Sequence, residues 1–183
     1  MFDTKTKAGR KVDLPGIEFA NDVAVAGDAL YISDSRGDQL YRVRPADFLG
    51  AGNAPEVSRA LAGKSIFPNG LYPDADGGLL LAGFKSADEP RGLYRLAPGG
   101  APEEIAEGLG RLDGLYRFED GDLMLTDWNS GSLGLWNAKT GLRPLAEGFS
   151  GPADFCVVAD GGGLLVAVPD LPKGELRLIR LGE

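Results

Sequence analysis

The hydrophobic and polar positions of the chain follow one pattern, used four times. Each copy opens with a small or polar pair and a few apolar residues, breaks at a Gly/Asp turn, then runs into a hydrophobic strand and a further apolar strand. The copies begin at Asn21-Asp22, Asn69-Gly70, Asp113-Gly114 and Ala153-Asp154, 40 to 48 residues apart. Turns at Gly27-Asp28, Asp76-Gly77, Asp120-Gly121 and Asp160-Gly161 suit tight hairpins, because glycine and aspartate tolerate the positive backbone angles these require. The second strand of each copy (Ala29 to Ser33, Leu79 to Ala82, Leu123 to Thr126, Leu164 to Val168) has no regular polar alternation, as expected of a strand covered on both faces. A third strand alternates more visibly (Leu40 to Val43, Leu93 to Leu96, Leu133 to Trp136, Leu176 to Ile179). A weaker fourth, around Val57, Ile105 and Leu145, carries the polar residues and proline of an exposed edge.

Units of four antiparallel strands at this spacing predict an all-β protein, a β-propeller with four blade repeats, either closed or part of a larger ring. A β-sandwich also has short regular strands, but four copies with matching turns favour blades. The blades are expected over residues 17–62, 65–107, 109–148 and 150–183 of one domain. The chain opens on a segment that overlays Leu135 to Leu145, as if inside a blade, and its last strand is a third strand. Residues 1–16 are therefore expected to close the last blade, with Arg10 to Leu14 as its missing strand. Four blades cut from a larger ring would expose apolar faces at both breaks, so such a chain should close, self-associate through open edges or pair with a partner.

Composition narrows the chemistry. With 183 residues and 43% hydrophobic content, the chain can bury one sizeable core. A net charge of −8 without a basic stripe excludes nucleic acid as the expected partner. No apolar run approaches the ~20 residues of a membrane span, and Met1 to Lys11 lacks the apolar stretch of a signal peptide. The chain as written is expected in the cytoplasm; an upstream signal would send it to the periplasm or outside. Histidine is absent, which excludes a Ser-His-Asp triad, a Cys-His pair and histidine-ligated zinc. The one cysteine, Cys156, lies in the apolar run Phe155 to Val158 and is expected to be a buried small hydrophobe.

The first strand of a blade is innermost, so Asn21, Asn69 and Asp113 are expected to converge on one mouth of the channel, with Asp22 and Asp154 close by. Amide and carboxylate oxygens around a common axis suit a hard divalent cation such as calcium, magnesium or manganese. Against this, Asn-Gly and Asp-Gly pairs are also common turn formers that bond to nearby backbone.

The stretches Asn21-Asp22-Val23-Ala24-Val25, Phe67-Pro68-Asn69-Gly70, Leu112-Asp113-Gly114 and Tyr31-Ile32-Ser33-Asp34-Ser35 resemble the senescence-marker-protein/gluconolactonase group, also called regucalcin-like, over residues 17–181. The resemblance implies a six-bladed propeller with one divalent cation (calcium, zinc, manganese or magnesium) in its channel, and hydrolysis of sugar lactones. It implies Asn69 and Asp113 as metal ligands, Asp113 also as the base, and Asn21 as a contact to substrate or metal. Asp22 and Asp154 are further candidates for binding substrate. The family's metal-binding glutamate belongs to a first blade that this chain lacks, and Glu18 is not its equivalent, since it precedes a first strand in the wrong register. The expected function is metal-dependent hydrolysis of a small lactone or ester. The alternatives are a non-catalytic propeller that binds a small molecule or protein at its mouth, with Tyr72, Tyr116, Trp128 and Phe155 as candidate lining, and a truncated, inactive product.

Overall fold

The computed structural model describes residues 1–49, 54–61 and 65–182. Among these, four antiparallel sheets are each built from consecutive chain, as blades of a β-propeller are. The first orders β1 (Ala20–Ala26), β2 (Ala29–Asp34), β3 (Gln39–Arg44) and β4 (Glu56–Arg59). The second orders β5 (Pro68–Pro73), β6 (Leu79–Gly83), β7 (Arg91–Leu96) and β8 (Pro102–Gly110). The third follows with β9 (Leu112–Arg117), β10 (Leu123–Asp127), β11 (Ser132–Asn137) and β12 (Gly141–Glu147). The fourth has three strands, β13 (Cys156–Asp160), β14 (Gly163–Asp170) and β15 (Glu175–Leu181).

The continuous apolar runs have the expected cause. In β6, Leu79 and Leu81 enter the core shared with the first sheet, while Leu80 and Ala82 enter the core shared with the third. In β10, Leu123 and Leu125 face the second sheet and Met124 faces the fourth. Side chains alternate across a strand, so a strand with a sheet on either side must be apolar at every position.

Neighbouring sheets are also stitched by buried hydroxyls on the second strands. Ser33 accepts from Asp22 N at 2.9 Å and donates to Asn69 O of the next sheet at 2.7 Å. Thr126 does the same in the third sheet, accepting from Gly114 N at 2.7 Å and donating to Ala153 O at 3.1 Å. The second strands of these two sheets and of the fourth end on a buried aspartate that ties down the chain leading into the first strand. Asp34 accepts from Glu18 N and Phe19 N, Asp127 from Arg111 N, and Asp170 from Ser150 N and Gly151 N. In the second sheet Gly83 stands at this place, and Asp38 of the first sheet holds Ile66 N and Phe67 N instead.

Two expectations are corrected. Residues 1–16 do not close the last blade: among the described residues the fourth sheet ends at β15. The N-terminal segment makes its own bridged turn, Phe2 with Gly9, and lies on the first sheet, where Arg10 donates to Phe48 O and Pro15 O accepts from Tyr41 Oη at 2.9 Å. Cys156 is exposed, not buried, because its side of β13 is the outward face of the last sheet, shared with Val158. Leu176 and Leu178 of β15, each 63% exposed, extend that apolar face. On the first sheet Val23 and Val25 are likewise exposed. The sheets thus stack in chain order, and the first and last carry apolar side chains that no sheet covers among the described residues.

Candidate functional site

The four repeat-opening positions come together. Asn21, Asn69, Asp113 and Ala153, each from a different sheet or its lead-in, line one cavity of about 630 Å³, joined by Asp154. In the first three sheets the pair sits at an irregularity in the strand ladder: pairing is interrupted between Ala20 and Val23, between Pro68 and Leu71, and between Leu112 and Leu115. Such a bulge frees a residue from regular pairing and re-aims its side chain. Glycine follows Asn69 because the strands approach closely here; a Cβ on Gly70 would overlap the carbonyl oxygen of Asp113.

Asn69 is clamped by the first sheet. Ser33 and Ser35 donate to the carbonyls of Asn69 and Pro68, and Asp22 Oδ2 accepts from Leu71 N at 2.7 Å. Asp22 therefore serves the sheet junction: its other oxygen accepts from Val23 N, and the residue does not line the cavity. Asn21, exposed at the rim, donates to Ser35 Oγ at 3.0 Å. Asp154 faces the cavity with one oxygen bound by Phe155 N at 2.8 Å.

Asp113 is 8% exposed and Asn69 3%. Trp128 Nε1 donates to Asp113 Oδ2 at 3.0 Å, and the Asn69 amide also donates to this carboxylate. An ionised carboxylate only accepts, so the Asn69 NH2 must face it, which leaves Oδ1 buried with no hydrogen-bond partner among the described residues. Burial pushes the Asp113 carboxyl up to about 6; the hydrogen bond from Trp128 opposes the rise, the Asp154 charge adds to it, and Asn69 and Asp22 make smaller contributions of opposite sign. Desolvation raises Asp22 and Asp154 as well.

Among the described residues no three Asp, Glu, Cys or His side chains cluster closely enough to cage a metal. The set on offer is mixed: the buried, unpartnered Oδ1 of Asn69 beside the Asp113 carboxylate. Both are hard oxygen donors, and an orphaned buried acceptor costs about 1–3 kcal/mol unless something binds it. These two residues fit a divalent cation of the calcium or magnesium type.

The acids fix the pH response of the metal-free chain. A carboxyl raised by folding is charged at a cost above its folded pKa, so Asp113 penalises the fold above about pH 6, and the penalty is gone below its unfolded value of 3.8. Asp34 and Asp74 act oppositely. Burial raises each, but backbone N–H groups led by Glu18 together outweigh it at Asp34, the Arg95 guanidinium, the Ala75 N–H and the Arg117 charge together outweigh it at Asp74, and both carboxyls are held below 3.8. The thermal midpoint in chelator is expected to rise as pH falls from 7 to about 5 and to drop below about pH 4. A monotonic fall from pH 7 in a differential scan would contradict this charge arrangement.

The rim of the cavity uses matching places in successive sheets. Arg36 lies over the Phe19 ring at 4.8 Å, Lys85 over Phe67 at 5.1 Å and Arg111 over Phe84 at 4.4 Å. All six line the cavity; Phe19, Phe67 and Arg111 each stand two residues before the opening pair, and Arg36 and Lys85 each two residues after the second strand. Phe67 has a left-handed backbone, φ 53, rare for an aromatic residue and held here by Asp38. Of the aromatics expected at the mouth, Trp128 lines the cavity, while Tyr72 and Tyr116 stack edge-on, ring centroids 5.5 Å apart, outside its lining. Trp128→Phe keeps the ring and removes the N–H, so the Asp113 carboxyl should rise further. The acidic limb of any pH–rate profile should then move to higher pH; an unmoved limb would show that this hydrogen bond does not tune Asp113.

No protein-family model and no curated protein sequence matches the chain. Solved structures do match in fold. Virginiamycin B lyase from Staphylococcus aureus superposes with a TM-score of 0.67 at 11% identity, over 98% of this chain and 62% of that one. A calcium-binding protein, regucalcin, from Agrobacterium tumefaciens gives 0.61 at 18% identity, over 89% and 60%. A gluconolactonase from Xanthomonas campestris gives 0.58 at 21% identity, over 89% and 62%. The chain has a β-propeller fold. It spans about three fifths of the length of each of these structures.

Proposed function

We propose that the chain is a divalent-metal-dependent hydrolase of sugar lactones or related small esters, of the senescence-marker-protein/gluconolactonase type. The observation that carries the reading is the buried pair at the cavity floor, Asn69 with an unpartnered carbonyl oxygen and Asp113 with a raised carboxyl. The fold likeness to a gluconolactonase and to a calcium-binding regucalcin supports it.

In this reading Asn69 Oδ1 and Asp113 hold the cation, which would polarise a lactone carbonyl and acidify water in the cavity. Asp113 is also the proton acceptor. In the metal-free chain its carboxyl is pushed up to about 6, and a bound cation would lower it again and keep it ionised at neutral pH, ready to accept a proton. Trp128 keeps one of its oxygens in place, and Asn21 and Asp154 are placed to contact substrate hydroxyls. No histidine is needed.

The test is initial-rate hydrolysis of a neutral and an acidic lactone, glucono-δ-lactone and a glucarolactone, with calcium, zinc, manganese or magnesium, and with a chelator. Turnover that requires metal and vanishes with chelator is expected; rates equal to buffer under every metal would end the hydrolase reading. The ring-lined cavity favours a second reading, a non-catalytic small-molecule binder. That reading requires ligand-dependent stabilisation without turnover.

A further inference from the structure

We infer that the cavity takes ligands that carry an anionic group, a carboxylate or phosphate, held at the rim by Arg36 and Arg111; for a hydrolase this makes the substrate an acidic lactone. The inference rests on the proposed site but on different residues. The chain is acidic, with 27 Asp and Glu against 19 Lys and Arg, yet three cations, Arg36, Lys85 and Arg111, line this one cavity. Lys85 is paired with Glu89. Among the described residues neither arginine forms an ion pair, whereas Arg44, Arg91, Arg95, Arg117 and Arg180 do.

Arg111 is the better built of the two. Its guanidinium lies 4.4 Å from the Phe84 centroid and 5.8 Å from that of Trp128, in the corner of two rings that meet edge-on at 87°, and its Nε is buried without a hydrogen-bond partner among the described residues. A planar fork stacked on aromatic faces keeps its edge donors for a planar or tetrahedral oxyanion, the geometry in which arginine recognises carboxylate and phosphate. Trp128 links the two halves of the cavity: one ring face lies under Arg111 while its N–H holds Asp113. Without a cation the floor is acidic, with Asp113 and Asp154, and repels an anion. A ligand with one charged end is therefore oriented, its anion at the arginines and its uncharged, reacting end toward Asp113. A neutral sugar lactone would offer these guanidinium groups only hydroxyl and carbonyl acceptors and leave their charge unmatched.

Calorimetric titration of the full chain in chelator with three unreactive open-chain compounds tests this without requiring catalysis: neutral glucitol, its carboxylate counterpart gluconate, and glucitol 6-phosphate. One charge-assisted contact predicts that gluconate or glucitol 6-phosphate binds about tenfold or more tightly than glucitol. The stronger of the two identifies carboxylate or phosphate as the preferred anion. Arg111→Met should bring the ratio close to one, and Arg36→Met, at an exposed position, should lower it severalfold. Three compounds bound within threefold of each other, no binding of any, or a ratio unchanged in Arg36→Met and in folded Arg111→Met would overturn the inference. Lactone turnover is scored separately. Charge-dependent binding without turnover would retire the hydrolase reading and keep the anion site, whereas turnover with equal binding of the three compounds would do the reverse.

Discussion

Asp113→Asn is expected to abolish lactone hydrolysis while making the metal-free chain more stable. The two effects share one cause. Burial holds the carboxyl at about 6 against 3.8 when exposed, a difference equivalent to roughly 3 kcal/mol against the folded state at pH 7. Asparagine is close in shape, can still accept from Trp128 Nε1 and carries no charge, so most of that cost should disappear. The expected gain is about 2–3 kcal/mol, or roughly 5–10 °C in thermal midpoint for a chain of this size. It should shrink as pH falls from 6 to 4, where the wild-type carboxyl is itself neutral in the folded state. Loss of the proton acceptor should cost about 10²–10⁴-fold in rate, and loss of a charged ligand weakens the metal as well. A variant that is both inactive and less stable would mean that Asp113 is a structural hydrogen-bond partner and not a strained functional acid.

Asp34→Ala should strongly destabilise the fold. Asp34 is fully buried and gathers Glu18 N, Phe19 N and Gly37 N at 2.8–2.9 Å. Alanine leaves three donors without a partner, two where the N-terminal segment leads into β1 and one in the β2–β3 turn. At about 1 kcal/mol or more for each donor left unpaired, the loss is about 3–5 kcal/mol, on the order of 10 °C. Asp34→Asn keeps one acceptor oxygen and should fall between. The exposed Asp120, which accepts only from Asp122 N, is the control, and its alanine variant should stay within about 0.5 kcal/mol of wild type. Equal urea midpoints for Asp34→Ala and wild type would show that water replaces the carboxylate at this join.

Repetition made the fold legible. Four copies of one apolar pattern have a single economical solution, stacked sheets, and the uninterrupted runs in β6 and β10 mark strands buried on both sides. The same repetition located Asn21, Asn69 and Asp113, because polar residues recurring ahead of the hairpin turn fall at matching bulges. The aspartates at the ends of β2, β10 and β14 also recur, after Ser33 and Thr126 in two of the three cases, and could have been found the same way; Gly83 interrupts the series and hides it. Arg36, Lys85 and Arg111 were harder to see. Arg36 and Lys85 share a place two residues after β2 and β6, and Arg111 stands where Phe19 and Phe67 do, but the other sheets put different residue types at these places, and only the stacking of the sheets brings the three cations to one cavity. Cys156 and residues 1–16 misled for a related reason: local sequence shows which side chains are apolar, but not whether another sheet stands against the outward face.

The central claim is that Asn69 and Asp113 share one cation. Diffraction from crystals grown in calcium tests it most directly. The expected result is a single ion about 2.3–2.6 Å from Asn69 Oδ1 and from an Asp113 carboxylate oxygen. Clear density for both side chains with no ion between them, and Asn69 Oδ1 bonded to protein instead, would contradict it.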